Sequence, residues 1–189
     1  MRVLMIIPAY NEEESIFDTV TSILNYRKKV DFDLDYVVIN DGSTDKTKQI
    51  LEENHFNAVN LVMNLGIGGA VQTGYKYALE HDYDVAVQFD GDGQHDIESL
   101  SALLEPIRKN EADLVIGSRF VGDVKSEFQT TFMRRFGISV ISNLIKWTTG
   151  QRVLDTTSGY RLADKDVIKQ FAKRYRSEEH TSELQSLGM

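Results

Sequence analysis

Short, unbroken apolar runs recur along this chain and alternate with stretches whose apolar residues fall at helical spacing. Val3-Leu4-Met5-Ile6-Ile7, Tyr36-Val37-Val38-Ile39 and Val85-Ala86-Val87-Gln88-Phe89 are of strand length, as is Leu114 to Arg119, with a weaker run from Ala58 to Met63. Such runs are expected of strands covered on both faces. Between the first two, Ile16, Phe17, Val20, Ile23 and Leu24 form a 3.6-residue stripe that closes on Arg27, Lys28 and Lys29, a fit to the negative end of a helix dipole. Ser43, Thr44 and Asp45 are competent caps for a helix from about Lys46 to Glu53. A further helix follows Asn64 to Ala70 and ends near His81. Asp96 can cap another carrying Ile97, Leu100, Leu103, Leu104 and Ile107, with Pro106 predicting a kink or an early end. Strand and helix alternate through residue 119, so the predicted fold is α/β: a mainly parallel, Rossmann-like sheet flanked by helices.

In such a sheet ligands bind outside the carboxyl ends of the strands, and those ends carry the chemistry of this chain. They read Pro8-Ala9-Tyr10-Asn11-Glu12, Asn40-Asp41-Gly42-Ser43, Asn64-Leu65-Gly66, Asp90-Gly91-Asp92 and Gly117-Ser118-Arg119. At the fourth, two carboxylates spaced i, i+2 share a face and can converge on one cation or one diphosphate. All-oxygen donors suit Mg²⁺ or Mn²⁺ rather than Zn²⁺. Alone, the same residues read equally well as a solvated Asp/Gly turn.

Composition bounds the alternatives. A net charge of -8 argues against non-specific nucleic-acid binding, while a metal can still bridge acidic groups to a nucleotide's phosphates. The absence of cysteine removes disulfides, thiolate zinc sites and a Cys nucleophile, and is compatible with the cytosol. Val3 to Ile7 is too short for a secretory signal, and no stretch approaches a membrane span. Gly66-x-Gly68-Gly69 has glycines like a dinucleotide fingerprint but follows the third strand and lacks the full spacing. Beyond residue 119, Phe132, Phe136, Val140, Leu144 and Ile145 mark an amphipathic segment that suits a core-facing helix better than one lying on a membrane. Asp155 to Arg161 reads as a polar loop or short strand, and Asp164 caps a last helix carrying Val167, Ile168 and Phe171.

Taken in order and spacing, the five strand-end motifs resemble glycosyltransferase family 2, most closely its dolichyl- and polyprenyl-phosphate sugar synthases. The resemblance runs from residue 1 to about 175. It implies a GT-A fold and inverting transfer of a sugar from a nucleotide diphosphate sugar, of the GDP-mannose or UDP-glucose type, to a lipid phosphate. On that resemblance Pro8, Tyr10 and Glu12 match the nucleoside-binding segment, and Ile39 and Asp41 match the strand end that holds base and ribose. Gly68 and Gly91 complete the donor-binding set. Asp90, Asp92 and Gln94 match the residues for metal (Mg²⁺ or Mn²⁺) and diphosphate sugar. Arg119 matches a basic residue near the phosphates, and Arg161, in Ser158-Gly159-Tyr160-Arg161, matches the acceptor side.

Against that resemblance, what the chain lacks bears on the acceptor class. There is no Glu-Asp pair near residues 150 to 163 and no Gln-x-x-Arg-Trp, features of processive polysaccharide synthases. That favours an ionised phosphate acceptor, which needs no strong base; Asp155 as a base for a sugar hydroxyl is the competing assignment. The expected setting is the cytosolic face of a membrane, with peripheral attachment. Competing functions are a non-catalytic nucleotide-sugar-binding fragment and a sugar-nucleotide pyrophosphorylase, which would want a glycine- and lysine-rich first loop where this chain is acidic. Residues 176–189, which begin Arg176-Ser177-Glu178-Glu179-His180-Thr181, have no apolar periodicity and resemble translated sequencing adapter. The expected organisation is one catalytic domain over 1–175, short of its acceptor-side end, followed by a non-native, poorly packed tail.

Overall fold

The computed structural model describes residues 1–89, 97–117 and 160–174. Apart from Ile116 and Gly117, these belong to one compact unit. The strands are β1 (Arg2–Ala9), β2 (Asp33–Asn40), β3 (Ala58–Asn60), β4 (Val85–Gln88), β5 (Leu114–Ile116) and β6 (Arg161–Asp164). The helices are α1 (Ile16–Arg27), α2 (Thr47–Glu53), α3 (Gly66–Glu80), α4 (Leu100–Arg108) and α5 (Lys165–Arg174). All six strands form one sheet in the order β3-β2-β1-β4-β6-β5. The pairs β1–β2, β1–β4 and β2–β3 are parallel, and β6 runs antiparallel to β4.

Why the strands are apolar throughout is plain from β1, which lies inside the sheet and has a helical layer on each face. Val3, Met5, Ile7 and Ala9 pack on one side with Ile16, Val20 and Ile23 of α1 and Leu100 and Leu104 of α4. Leu4 and Ile6 pack on the other with Val71, Tyr75 and Ala78 of α3 and Ile168 and Ala172 of α5. Residues 3 to 7 are all fully buried, and each large apolar side chain so placed contributes about 1.5–3 kcal/mol. The approach of α3 to β1 requires a glycine. A Cβ on Gly74 would stand 2.1 Å from Cγ2 of Ile6.

The amino edge of the sheet is held by ions. Arg2 reaches Asp33 and Asp35, and Arg27 Nη1 lies 3.2 Å from Asp35 Oδ1. The Tyr83 hydroxyl donates to Asp35 at 3.0 Å, and the Arg2 guanidinium sits over its ring. Burial, then the Asp35 carboxylate, pushes the Tyr83 hydroxyl up to about 12.

Several boundaries differ from the sequence expectation. β2 starts at Asp33 rather than Tyr36, because its charged residues find these partners at the amino edge. β3 stops at Asn60, and Val62 and Met63, expected in the strand, are exposed beyond it. β5 ends at Ile116; Ser118 and Arg119 lie outside the described residues. Pro106 does accompany an early end, since α4 stops two residues later. Asp164 caps α5 as expected, its Oδ1 accepting from the N–H groups of Asp166 and Val167. The amphipathic segment from Phe132, the cap at Asp96 and the tail from residue 176 fall outside the described residues.

Candidate functional site

Topology alone selects one crevice. The chain winds outward from β1 through β2 to β3, then crosses to β4 on the other side of β1. The strand order reverses between β1 and β4, and it is outside the carboxyl ends at such a switch point that open α/β sheets bind ligands.

The β1–β4 pairing stops short there for a local reason. The carbonyls of Arg2 and Ile6 accept from Asp84 and Phe89 on the β4 side, whereas that of Ala9 accepts from Asp41 on the β2 side. Even-numbered residues of β1 therefore address β4, and the even-numbered residue next after Ile6 is Pro8, which has no N–H to offer. Pairing with β2 continues to Ala9↔Asn40; pairing with β4 ends at Ile6↔Gln88.

Around this seam stand several of the residues singled out from sequence. Tyr10 follows β1 with about half of its surface exposed. Asp41 follows β2 and is buried, 3% exposed; its Oδ1 accepts the Leu65 N–H at 2.7 Å. Its Oδ2 makes no hydrogen bond among the described residues, which leaves an acceptor for an incoming donor group. Ile39 is fully buried on the α3 side of the sheet, so any role at the site runs through the placement of Asn40 and Asp41. Gly68 is buried in the first turn of α3, whose amino end has no side-chain cap. Asn64 Oδ1 accepts the Gly66 N–H there in place of a cap from Leu65, and a helix amino end favours anions. Glu12 spends its carboxylate on the Ser15 hydroxyl at 2.6 Å, just ahead of α1. Arg161 opens β6 opposite Gln88. Because β6 is antiparallel, its first residue lies at the edge where β1 and β4 finish. Asp90, Gly91, Asp92, Gln94, Arg119 and Asp155 lie outside the described residues, Asp90 following directly on Phe89. Among the described residues no cluster of three His, Asp or Glu side chains could hold a metal.

A second set of bonds, among residues of the strand-end motifs and the helix caps read from sequence, fixes the loops after β1 and β2 to each other. The Asn11 N–H donates to Ser43 Oγ at 3.0 Å, and the Thr44 N–H returns to Asn11 Oδ1 at 2.8 Å. Glu12 N–H donates to Thr47 Oγ1, Glu13 N–H to Asp45 Oδ2, and Lys46 N–H to Glu13 Oε2. Asn11 takes a left-handed backbone at φ 58°, which asparagine tolerates better than most residues. Gly42, at φ 69°, is held against the backbone of Met63 and Asn64, where a Cβ would come within 2.8 Å. Through Gly42 and the Asp41–Leu65 bond, the loop before α3 joins the same assembly. Side chain-to-backbone bonds thus set the positions of Tyr10 and Asp41.

Asp45 also accepts the Thr47 N–H at 2.9 Å, so it both caps α2 and clamps the loop after β1. Partial burial pushes its carboxyl up, but hydrogen bonds from Thr47, Glu13 and its own N–H outweigh that and hold it below the usual carboxylate range. A depressed folded-state pKa gives stability that is complete above the unfolded value, about pH 4, and is lost as pH falls through the folded value. Urea midpoints measured from pH 6 down to pH 2 should fall more steeply for the native chain than for Asp45→Asn. At neutral pH, Asp45→Ala should cost about 1 kcal/mol, as for other helix caps. Parallel acid limbs for native chain and Asp45→Asn would remove Asp45 from this role.

A mostly parallel three-layer α/β sheet with a switch point between β1 and β4 defines the doubly wound α/β class of fold. Within that class, the Glycosyl transferase family 2 model matches residues 5–172, and the chain belongs to that family. It is 31% identical over 94% of its length to the UDP-N-acetylglucosamine–dolichyl-phosphate N-acetylglucosaminyltransferase of Methanococcus voltae, covering 75% of that protein. It is 37% identical over 89% of its length to the undecaprenyl-phosphate mannosyltransferase of Micrococcus luteus, covering 69%. Among solved structures it is similar to glucosyl-3-phosphoglycerate synthase from Mycobacterium tuberculosis, crystallised with Mn²⁺, UDP-glucose and phosphoglyceric acid. The TM-score is 0.64 at 22% identity, with 88% of this chain matched to 57% of that one, a likeness of fold.

Proposed function

We propose that this chain, as one catalytic domain over residues 1–175, transfers a sugar from a nucleotide diphosphate sugar to a polyprenyl- or dolichyl-phosphate acceptor, with inversion at the anomeric carbon. The family supports the reaction type, and the names of the relatives support both substrate classes. The observation that carries the reading is that Tyr10, the buried Asp41 and Arg161 all fall at the carboxyl edge of the sheet, after β1, after β2 and at the start of the antiparallel β6.

In this reading Tyr10, Asp41 and the backbone of Pro8 receive the nucleoside, with Glu12 and Ile39 fixing the loops that present them. The amino end of α3, including Gly68, faces the anionic part of the donor. Asp90, Asp92 and Gln94, with Gly91 between the carboxylates, are the donor set for Mg²⁺ or Mn²⁺. Two carboxylates and an amide supply only oxygen donors, which fits a hard cation. The structural neighbour was crystallised with Mn²⁺, which supports a divalent cation as the class of ion. Such a cation stabilises the negative charge that develops as a nucleoside diphosphate departs. Arg119 and Arg161 offer planar pairs of donors to phosphate oxygens, Arg161 toward the acceptor. An acceptor phosphate is already ionised near neutral pH, so no proton need be removed. A sugar hydroxyl would require a base, for which Asp155 is the candidate. The expected place of action is the cytosolic face of a membrane, the chain being attached peripherally. Among the described residues no helix is long and apolar enough to cross one.

The test is a thermal-shift panel of GDP, UDP and their sugars with Mg²⁺ or Mn²⁺, because a ligand that binds only the folded state raises its stability. One nucleotide should stabilise in a metal-dependent manner, and Asp92→Ala should abolish the metal-dependent part. Intact metal-assisted binding in Asp92→Ala would overturn the metal assignment. Binding without transfer to a short-chain polyprenyl phosphate would reduce the function to donor binding.

A further inference from the structure

Between β3 and the first turn of α3 the chain turns four large apolar side chains outward. Val62 is fully exposed, Met63 is 64% exposed, and Leu65 and Ile67 are about half exposed. Exposure of two consecutive residues, Val62 and Met63, means that neither face of the chain packs at this point. A single exposed apolar residue is ordinary, but a contiguous group marks a surface with a partner.

The charge pattern says what kind of partner. Residues 56 to 75 contain no Asp, Glu, Lys, Arg or His. In a chain that is 26% charged, twenty residues would ordinarily carry about five charges. The loop and the helix turn that follows it therefore carry no charge of their own, although the whole chain carries -8, and the carboxylate bonded to the loop, Asp41, is buried. A protein partner would ordinarily meet a polar, charged rim around an apolar centre. A lipid interface instead penalises every charge placed in it and rewards apolar side chains. The place fits as well: the loop is bonded through the Leu65 N–H to Asp41, at the carboxyl edge where an acceptor would approach.

We propose that Val62, Met63, Leu65 and Ile67 insert into the surface of a lipid bilayer and turn the carboxyl edge of the sheet toward it. The inference rests on the lipid-phosphate acceptor proposed above and gives that site its membrane contact. Attachment is hydrophobic: it needs no anionic lipid and survives salt, unlike attachment by basic residues.

The experiment is co-sedimentation of the full chain with phosphatidylcholine vesicles that contain no polyprenyl phosphate, at low and high salt, beside the nucleotide thermal shift. Native chain should partition onto the vesicles equally at both salts. The double variant Val62→Asp/Met63→Asp should partition at least 10-fold less while keeping its nucleotide-induced shift, which certifies its fold. The milder Val62→Ser/Met63→Ser should fall between them. The proposal is overturned if the native chain stays in the supernatant, or if the aspartate variant partitions like it. It is equally overturned if partition depends on anionic lipid, or if the variant merely turns a dimer of this chain into a monomer. Vesicle partition without any nucleotide shift would instead fail the donor-binding reading and leave the surface standing.

Discussion

Gly74→Ala should destabilise the chain by at least the upper end of the roughly 1–3 kcal/mol that overpacking a core costs. The new Cβ would lie 2.1 Å from Cγ2 of Ile6, 2.9 Å from Cγ1 and 3.0 Å from Cδ1, so no single rotation of Ile6 relieves all three. Ile6 is fully buried in the middle of β1 and cannot withdraw without displacing the strand. The remaining response is for α3 to lift from the sheet, and α3 carries Val71, Tyr75 and Ala78 of the same core layer. Urea unfolding of Gly74→Ala, Ile6→Ala and the pair closes a double-mutant cycle. Ile6→Ala alone should cost about 2–5 kcal/mol as a cavity. The pair should cost less than the two together by about 1 kcal/mol or more, because each change accommodates the other. Additive losses would mean that the helix and strand are not in the contact described.

Asp41 carries the second large expectation, and two substitutions separate its duties. Its Oδ1 holds the Leu65 N–H, and its Oδ2 makes no hydrogen bond among the described residues. Asp41→Asn can keep an oxygen on Leu65, so stability should stay within about 1 kcal/mol, the worth of an ordinary hydrogen bond. It exchanges the open acceptor for a donor and removes the charge. Nucleotide affinity, read by calorimetry, should therefore fall about 10- to 100-fold, since hydrogen bonds to charged groups are worth about 1.5–3 kcal/mol. Asp41→Ala should lose that affinity and also leave a buried N–H without its acceptor, costing about 1–3 kcal/mol of stability. Undiminished affinity in Asp41→Asn would remove Asp41 from the nucleotide site.

The parallel core of the fold is legible in the chain because strands covered on both faces need only be apolar. β1 and β4 are written that way and sit where the runs fall. β6 is not: Arg161-Leu162-Ala163-Asp164 has two apolar residues and becomes a strand only because β4 and the chain near Asp113 flank it. Its direction, which brings Arg161 to the carboxyl edge, is a property of long-range pairing. Val62 and Met63 fail as strand residues for the converse reason, since apolarity does not distinguish a side chain in the core from one in a surface loop. At the site, Tyr10 and Asp41 could be found as residues at strand ends. The bonds that position them join Asn11 to Ser43 and Glu13 to Asp45, residues about 32 positions apart, and no local period reports such partners. Ser43, Thr44 and Asp45 looked like helix caps because the same short oxygen-bearing side chains serve for both.

Pro8 has a meaning beyond the missing bond. An amino acid with an amide hydrogen at that position would offer β4 one more rung and let the ladder between the two strands run a residue further. One imino ring thus decides at which residue these two neighbours part company.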